Sequence, residues 1–363
     1  MNRRWVQLCA LSLACASTGC ATRWATVSPV PRMAPDELVR YYDYPRESIH
    51  VVVRDLRGKP ECTHKLVEFG LSLPPELNDE FTRQARREAA VESHSRRARD
   101  RSLEYTVRFD YYQPASTGKH PFVVLSTILG GNNAFVDDFA RYFAAHGYCA
   151  AVVHRRAARL GPHDGLDRIE KSLRKEVIRV RQVIDWAETQ PEVDASRIAS
   201  LGISFGAIIN TMVAGAEPRI RYHIFALGGA NLPDILMSTA EPRLRYQLAR
   251  VANARGWDHK RTHEELGRAL KSDPLNSVPL LDRDHVLMIV AHLDTVVGTR
   301  YENLLWRELG KPRRIVVPLG HAPAALAMPL IKGKALRFLD EKFGMPQPEA
   351  VEVNHDAYGS KRY

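Results

Sequence analysis

The chain has 363 residues, of which 45% are hydrophobic and 26% charged, with 52 basic against 42 acidic side chains and a formal charge of +10. This mixture is that of a folded globular protein rather than a disordered one, and the length suffices for one large domain or two small ones, with a sizeable core. The basic excess is not a nucleic-acid footprint: Glu88, Glu92 and Asp100 interleave the arginines between Arg83 and Arg101, and no glycine-aromatic or Cys/His module accompanies them. A solvated face explains it, with attraction to an anionic membrane surface as the alternative.

The N-terminus reads as a targeting segment. Arg3 and Arg4 give a basic start, Trp5 to Ala16 an apolar stretch too short to span a bilayer, and Ser17-Thr18-Gly19-Cys20 follows. This resembles the bacterial lipobox, although Ser17 stands where leucine is usual. The resemblance implies a signal peptide over 1–19, lipidation of Cys20 and, because Ala21 rather than an aspartate follows, an outer-membrane anchor facing the periplasm. An ordinary secretory signal cut near Ala21 is the competing reading; both place the mature protein outside the cytoplasm. Cys9 and Cys15 leave with the signal. Cys62 and Cys149 remain, in a compartment that allows them to pair, although Cys149 also fits a buried strand as a free thiol. No spacing suggests a metal site.

From residue 20 to 46 the prolines (Pro29, Pro31, Pro35, Pro45) predict a tether. Strands follow over 49–56 and 66–73, then a charged, exposed helix over 78–100. Leu103–Tyr112 and Pro121–Ile128 read as strands, the second a continuous apolar run. A loop over 129–133, a helix over 135–146 and a strand over 148–154 come next. Asp167–Thr189 is an amphipathic helix with a seam of Ile169, Leu173, Val177, Val180 and Ile184 and with Arg and Lys opposite. Strands over 197–203, 222–227, 285–292 and 314–318 alternate with helices over 208–216, 299–309 and 322–343. Alternation with short connections predicts a mostly parallel sheet covered by helices on both faces. The interval from Leu227 to His285 holds helical segments over 234–239, 243–254 and 263–271, too long for a loop. It predicts a helical cap, about 231–280, over the ligand-binding edge of the sheet.

The chain is organised around Gly202-Ile203-Ser204-Phe205-Gly206. A strand precedes it and an apolar helix follows, the setting of a nucleophile elbow, in which a sharp turn exposes the serine and crowds out side chains two positions either side. A serine needs a base, and the base needs an orienting acid. Asp294 lies just past one apolar strand and His321 just past the next, in the order Ser, Asp, His used on such sheets.

With these residues the chain resembles the α/β-hydrolase superfamily over about residues 103–343, and within it single-domain esterases of the dienelactone-hydrolase and acetyl-xylan-esterase type. The domain is drawn over 47–345, with a tail over 346–363. The resemblance implies Ser204 as nucleophile, His321 as general base then acid, and Asp294 as its orienting carboxylate. Asp234 is the rival acid, and His292 is read as structural. The oxyanion donors implied are the backbone N–H groups of Phe205 and Leu129, with Gly130 the nearest alternative. Here Thr127-Ile128 replaces the usual His-Gly pair. A phosphate loop is excluded by the absence of its spacing and lysine. The expectation is a lipid-anchored serine esterase acting on a small-molecule ester, without cofactor, metal or nucleic acid. A peptidase, thioesterase or acyltransferase with the same residues, or a non-catalytic envelope lipoprotein that binds through this scaffold, are the alternatives.

Overall fold

The structure is a computed structural model that describes residues 32–46, 50–78, 102, 105–131, 134–155 and 160–345. The signal segment, Cys20, the tether up to residue 31, the charged helix over 79–100, Asn132-Asn133 and the tail from 346 lie outside the described residues.

In chain order the main elements are α1 (Pro35–Tyr41), β1 (Val52–Lys59), β2 (Cys62–Gly70), β3 (Thr106–Pro114), β4 (His120–Ser126), α2 (Ala134–Ala145), β5 (Cys149–Val153), α3 (Asp167–Glu188), β6 (Val193–Ile203), α4 (Phe205–Ala216) and β7 (Ile220–Ala226). Then come α5 (Leu232–Ser238), α6 (Pro242–Ala254), α7 (His259–Ala269), β8 (Val286–Ala291), α8 (Thr299–Glu308), β9 (Arg313–Val317) and α9 (Met328–Phe343). The strands form a nine-stranded sheet in the order β1-β2-β3-β5-β4-β6-β7-β8-β9. Every residue of β4, β5 and β8 is buried, as continuous apolar strands require when helices cover both faces.

The sheet is mostly parallel, as expected, with an antiparallel start. From β5 through β9 the strands run parallel, but β1–β2, β2–β3 and β3–β5 pair antiparallel. The short β1–β2 connection decides the first of these pairings, because a parallel crossover needs a dozen residues or more. The chain runs from β4 out to β5 and then back past β4 to β6, so the loops after β4 and β6 part in opposite directions. Such a crevice is where open α/β sheets receive ligands.

Two expectations need correction, and one choice left open is decided. Of the two readings of Cys62 and Cys149 the structure has the unpaired one, both being buried free thiols. They lie on β2 and β5, separated by β3, and two strand spacings are roughly 9.5 Å, beyond disulfide reach; burial pushes the Cys149 thiol up to about 12. The tether does not extend to residue 46, since Leu38 and Tyr42 are fully buried and Arg32 donates to the Leu275 carbonyl at 2.6 Å. The polar face of α3 is not solvated either. Glu170, Arg174, Arg179 and Arg181 are all buried, and the chain around α1 covers three of them: Tyr41 Oη donates to Glu170 at 2.7 Å, and Arg174 donates to the Tyr41 carbonyl and Arg181 to the Tyr42 carbonyl, each at 2.5 Å. In addition, the last helix begins at Met328 instead of 322, because Pro323 and Pro329 lack the N–H groups an α-helical turn would use, and a 3-10 turn over Pro323–Ala327 takes their place.

Candidate active site

Ser204 sits between β6 and α4 with φ 58° and ψ −123°, a left-handed conformation that a side-chain-bearing residue adopts only under constraint. The constraint is visible on both sides. A Cβ on Gly202 would stand 2.2 Å from the Gly206 carbonyl oxygen, and one on Gly206 would stand 2.2 Å from that of Ser126, so both positions admit only glycine. The Ser204 N–H is held by the Ala226 carbonyl at 2.8 Å.

Asp294 and His321 are brought to this turn by adjacent strands. After β8 and β9 the two loops stay laced together, His292 N–H to the Val317 carbonyl at 2.9 Å and Leu293 N–H to that of Leu319 at 3.1 Å. Across them His321 Nδ1 lies 2.5 Å from Asp294 Oδ2, and His321 Nε2 lies 2.7 Å from Ser204 Oγ. The Asp294 side chain is fully buried. Its Oδ1 accepts the N–H groups of Val296, Val297 and Gly298 at 2.7, 2.9 and 3.3 Å. Burial alone would raise the Asp294 carboxyl, but the His321 bond and these N–H groups hold it below its ordinary value, so it carries a full negative charge at neutral pH. Beside it Glu302 is fully buried and accepts the Ala291 N–H at 3.0 Å. Burial and then the Asp294 charge push Glu302 up to about 10, so it stays a neutral acid and adds no repulsion.

Thus the structure joins Ser204, His321 and Asp294 in one hydrogen-bonded chain. Asp234, the rival acid, is instead 2.6 Å from His263 Nε2, on α5 and away from His321. His292 is exposed, its backbone lacing the two loops. The N–H groups of Phe205 and Leu129 make no backbone hydrogen bond among the described residues, which leaves both donors free. Two charged residues at the site were not evident in the sequence. Glu302 had a weak signal, an acid beside the Tyr301–Leu305 seam of α8. Arg155, just after β5 and only 6% exposed, had none.

Above Ser204 opens an apolar pocket of about 450 Å³. Ile169 and Leu173 of α3 line one wall and Ile235, Leu244 and Leu248 of α5 and α6 another, so the helical interval between β7 and β8 borders the reacting atoms. Among the described residues no group of three His, Cys, Asp or Glu side chains is arranged for a metal ion. No described helix is long and apolar enough to cross a membrane.

Comparison with known proteins agrees with this fold. A family model described as X-Pro dipeptidyl-peptidase (S15 family) matches residues 93–270. The structure superposes on acetyl xylan esterase 1 from Thermoanaerobacterium sp. JW/SL YS485 with a TM-score of 0.63 at 17% identity, covering 87% of this chain and 96% of that one. The fold is therefore that of the α/β-hydrolases. The hydrolase fold is shared equally with an acetyl xylan esterase from Paenibacillus sp. R4, at a TM-score of 0.62 and 14% identity over 86% of this chain and 96% of the other. Among curated proteins, the uncharacterized protein YdjC of Bacillus subtilis (strain 168) is 31% identical over 71 residues, 20% of this chain and 61% of YdjC. The polyketide transferase claH of Penicillium crustosum is 31% identical over 104 residues, 29% of this chain and 31% of claH. The chain therefore spans less than two thirds of the length of either curated relative.

Proposed function

We propose that this hydrolase is a serine esterase that cleaves small-molecule esters through an acyl-enzyme. The observation that carries the reading is the continuous chain Ser204–His321–Asp294 at the floor of an apolar pocket, with 2.7 and 2.5 Å contacts. His321 Nε2 takes the Ser204 proton as Oγ attacks the ester carbonyl, and Asp294 holds the imidazole in the required tautomer and balances its positive charge. The N–H groups of Phe205 and Leu129 receive the oxyanion, and the N-terminus of α4 adds its dipole. His321 then protonates the leaving alcohol, and a water activated by the same imidazole releases the acid. Helices α5 to α7 act as a cap whose apolar lining selects the substrate.

The test is fluorophosphonate labelling beside turnover of p-nitrophenyl esters of increasing chain length. The wild type labels at Ser204 and hydrolyses short esters, whereas Ser204→Ala does neither. A wild-type protein that stays unlabelled and inactive refutes the enzyme in favour of a binding scaffold. The S15 match supports peptide cleavage as a second reading, and an X-Pro p-nitroanilide turned over faster than any ester would select it. Residence in the envelope rests on the Cys20 motif; Cys20→Ser should free the protein from membranes, and unchanged fractionation rejects the anchor.

A further inference from the structure

Arg155 is a buried cation that forms no ion pair among the described residues. Its Nη1 donates to the Ile128 carbonyl at 3.0 Å and its Nε has no hydrogen-bond partner. No carboxylate among the described residues forms an ion pair with it; Glu176, the acid that acts on it electrostatically, is bound to Arg179 at 2.6 Å. Burial draws the guanidinium below its ordinary pKa, a sign of how poorly solvated the charge is. An unpaired buried charge is unfavourable, so what it holds in place is informative.

It holds both halves of the oxyanion site. The Ile128 carbonyl and the Leu129 N–H belong to one peptide unit, and the described chain contains no cis peptide bond, so the two groups point in opposite directions across a rigid plane. The carbonyl is fixed from behind by Arg155 Nη1 and by the Gly131 N–H at 3.1 Å. Gripping the oxygen therefore aims the nitrogen. The loop can close this far only because residue 131 is glycine: a Cβ there would stand 2.3 Å from the Arg155 carbonyl oxygen. On its other side the guanidinium lies over the Phe205 ring, 4.1 Å from the centroid, and Phe205 carries the second donor.

We propose that Arg155 is the positioning residue of the oxyanion hole: it fixes the Ile128–Leu129 peptide and the Phe205 side chain so that both N–H groups converge on the substrate oxygen. This rests on the esterase reading above. The arrangement also places an unbalanced positive charge one peptide away from the place where negative charge develops, so its opposing charge arrives only as the tetrahedral intermediate forms. That is stabilisation of the transition state in preference to the ground state.

The test compares wild type with Arg155→Met, which keeps a flexible side chain against Phe205 but loses donors and charge, and with Arg155→Lys, which keeps the charge. Three quantities are measured: kcat and KM for p-nitrophenyl butyrate, and the inhibition constant of phenylboronic acid, which bonds to Ser204 Oγ as a tetrahedral anion. Arg155→Met should lower kcat roughly 30- to 300-fold with KM within about threefold, and weaken the boronic acid by a similar factor. Arg155→Lys should recover part of both. If Arg155→Met fails to fold, the Lys variant decides alone, with parallel losses of about tenfold in kcat and boronate affinity expected. A variant with kcat and boronate affinity within threefold of wild type overturns the proposal, as does a loss confined to KM or to carboxylate-bearing esters. An active, labelled wild type with indifferent variants refutes only the role of Arg155. An unlabelled, inactive wild type removes the esterase reading itself.

Discussion

Two of the buried polar clusters, one along α3 and one at the rim of the sheet, are finished differently. Along α3 the charges close on partners drawn from across the fold. Glu170 accepts from Tyr41 Oη, from Ser272 Oγ and from the Lys271 and Ser272 N–H groups, all between 2.6 and 2.8 Å. Arg174 reaches Glu76 at 2.8 Å besides the Tyr41 carbonyl, and Arg181 reaches Glu217 at 3.3 Å besides that of Tyr42. At the sheet rim the network is left open: the Ser204–His321–Asp294 chain ends on a hydroxyl facing a pocket, and among the described residues the Phe205 and Leu129 N–H groups find no acceptor and Arg155 no carboxylate partner. Closed networks specify a structure; an open one holds donors and charge in readiness for a substrate.

This contrast is best broken at its open end first. Asp294→Asn keeps the size of the side chain but offers His321 the wrong tautomer, so kcat should fall about 10³- to 10⁴-fold with the fold intact, measured by ester turnover beside circular dichroism. A loss under tenfold would mean that Asp294 does not orient the imidazole.

The closed cluster should answer in stability instead. Glu170→Ala strands a half-buried tyrosine hydroxyl, a serine hydroxyl and two N–H groups, and should cost about 3 kcal/mol in urea unfolding while kcat stays within about twofold. Equal losses of activity and stability would erase the distinction between the two clusters.

The smallest effect lies deeper in the sheet. His223 is buried, with Nδ1 2.9 Å from Ser200 Oγ, and burial holds its pKa down at about 3 against an ordinary 6.5. Between those values the unfolded chain binds a proton that the folded chain refuses. Stability is therefore complete above pH 6.5 and falls as the pH drops toward 3, by at most about 1.4 kcal/mol per pH unit from this group. Urea titrations of wild type and His223→Gln between pH 7 and 4.5 should diverge in slope; parallel curves would show that His223 is not the group responsible.

What could be read from the sequence was what local pattern controls. The strand ends, the elbow glycines and the positions of Asp294 and His321 follow from short apolar runs and from the residues that end them, all close in sequence. The antiparallel start of the sheet was legible in the short connection between residues 59 and 62 but was outweighed by the later β/α alternation. The buried face of α3 was hidden because its partners are far away in the chain: Arg174 finds the Tyr41 carbonyl 133 residues earlier and Glu170 finds Ser272 102 residues later. With no such partner in view, an arginine on a helix reads as solvated. Arg155 was hidden for the same reason, since its meaning comes from the carbonyl at Ile128 and the ring at Phe205.

The way α1 is seated bears on how this protein should be produced. Proline-rich composition invites a recombinant start near residue 47, yet trimming there would strip Leu38 and Tyr42 from the interior, leave the Ser272 hydroxyl without the phenol 2.8 Å away, and bare the guanidinium groups of Arg174 and Arg181. Expression designs that begin upstream of Arg32 retain that clasp, and a shorter one would yield insoluble material for reasons unrelated to its chemistry.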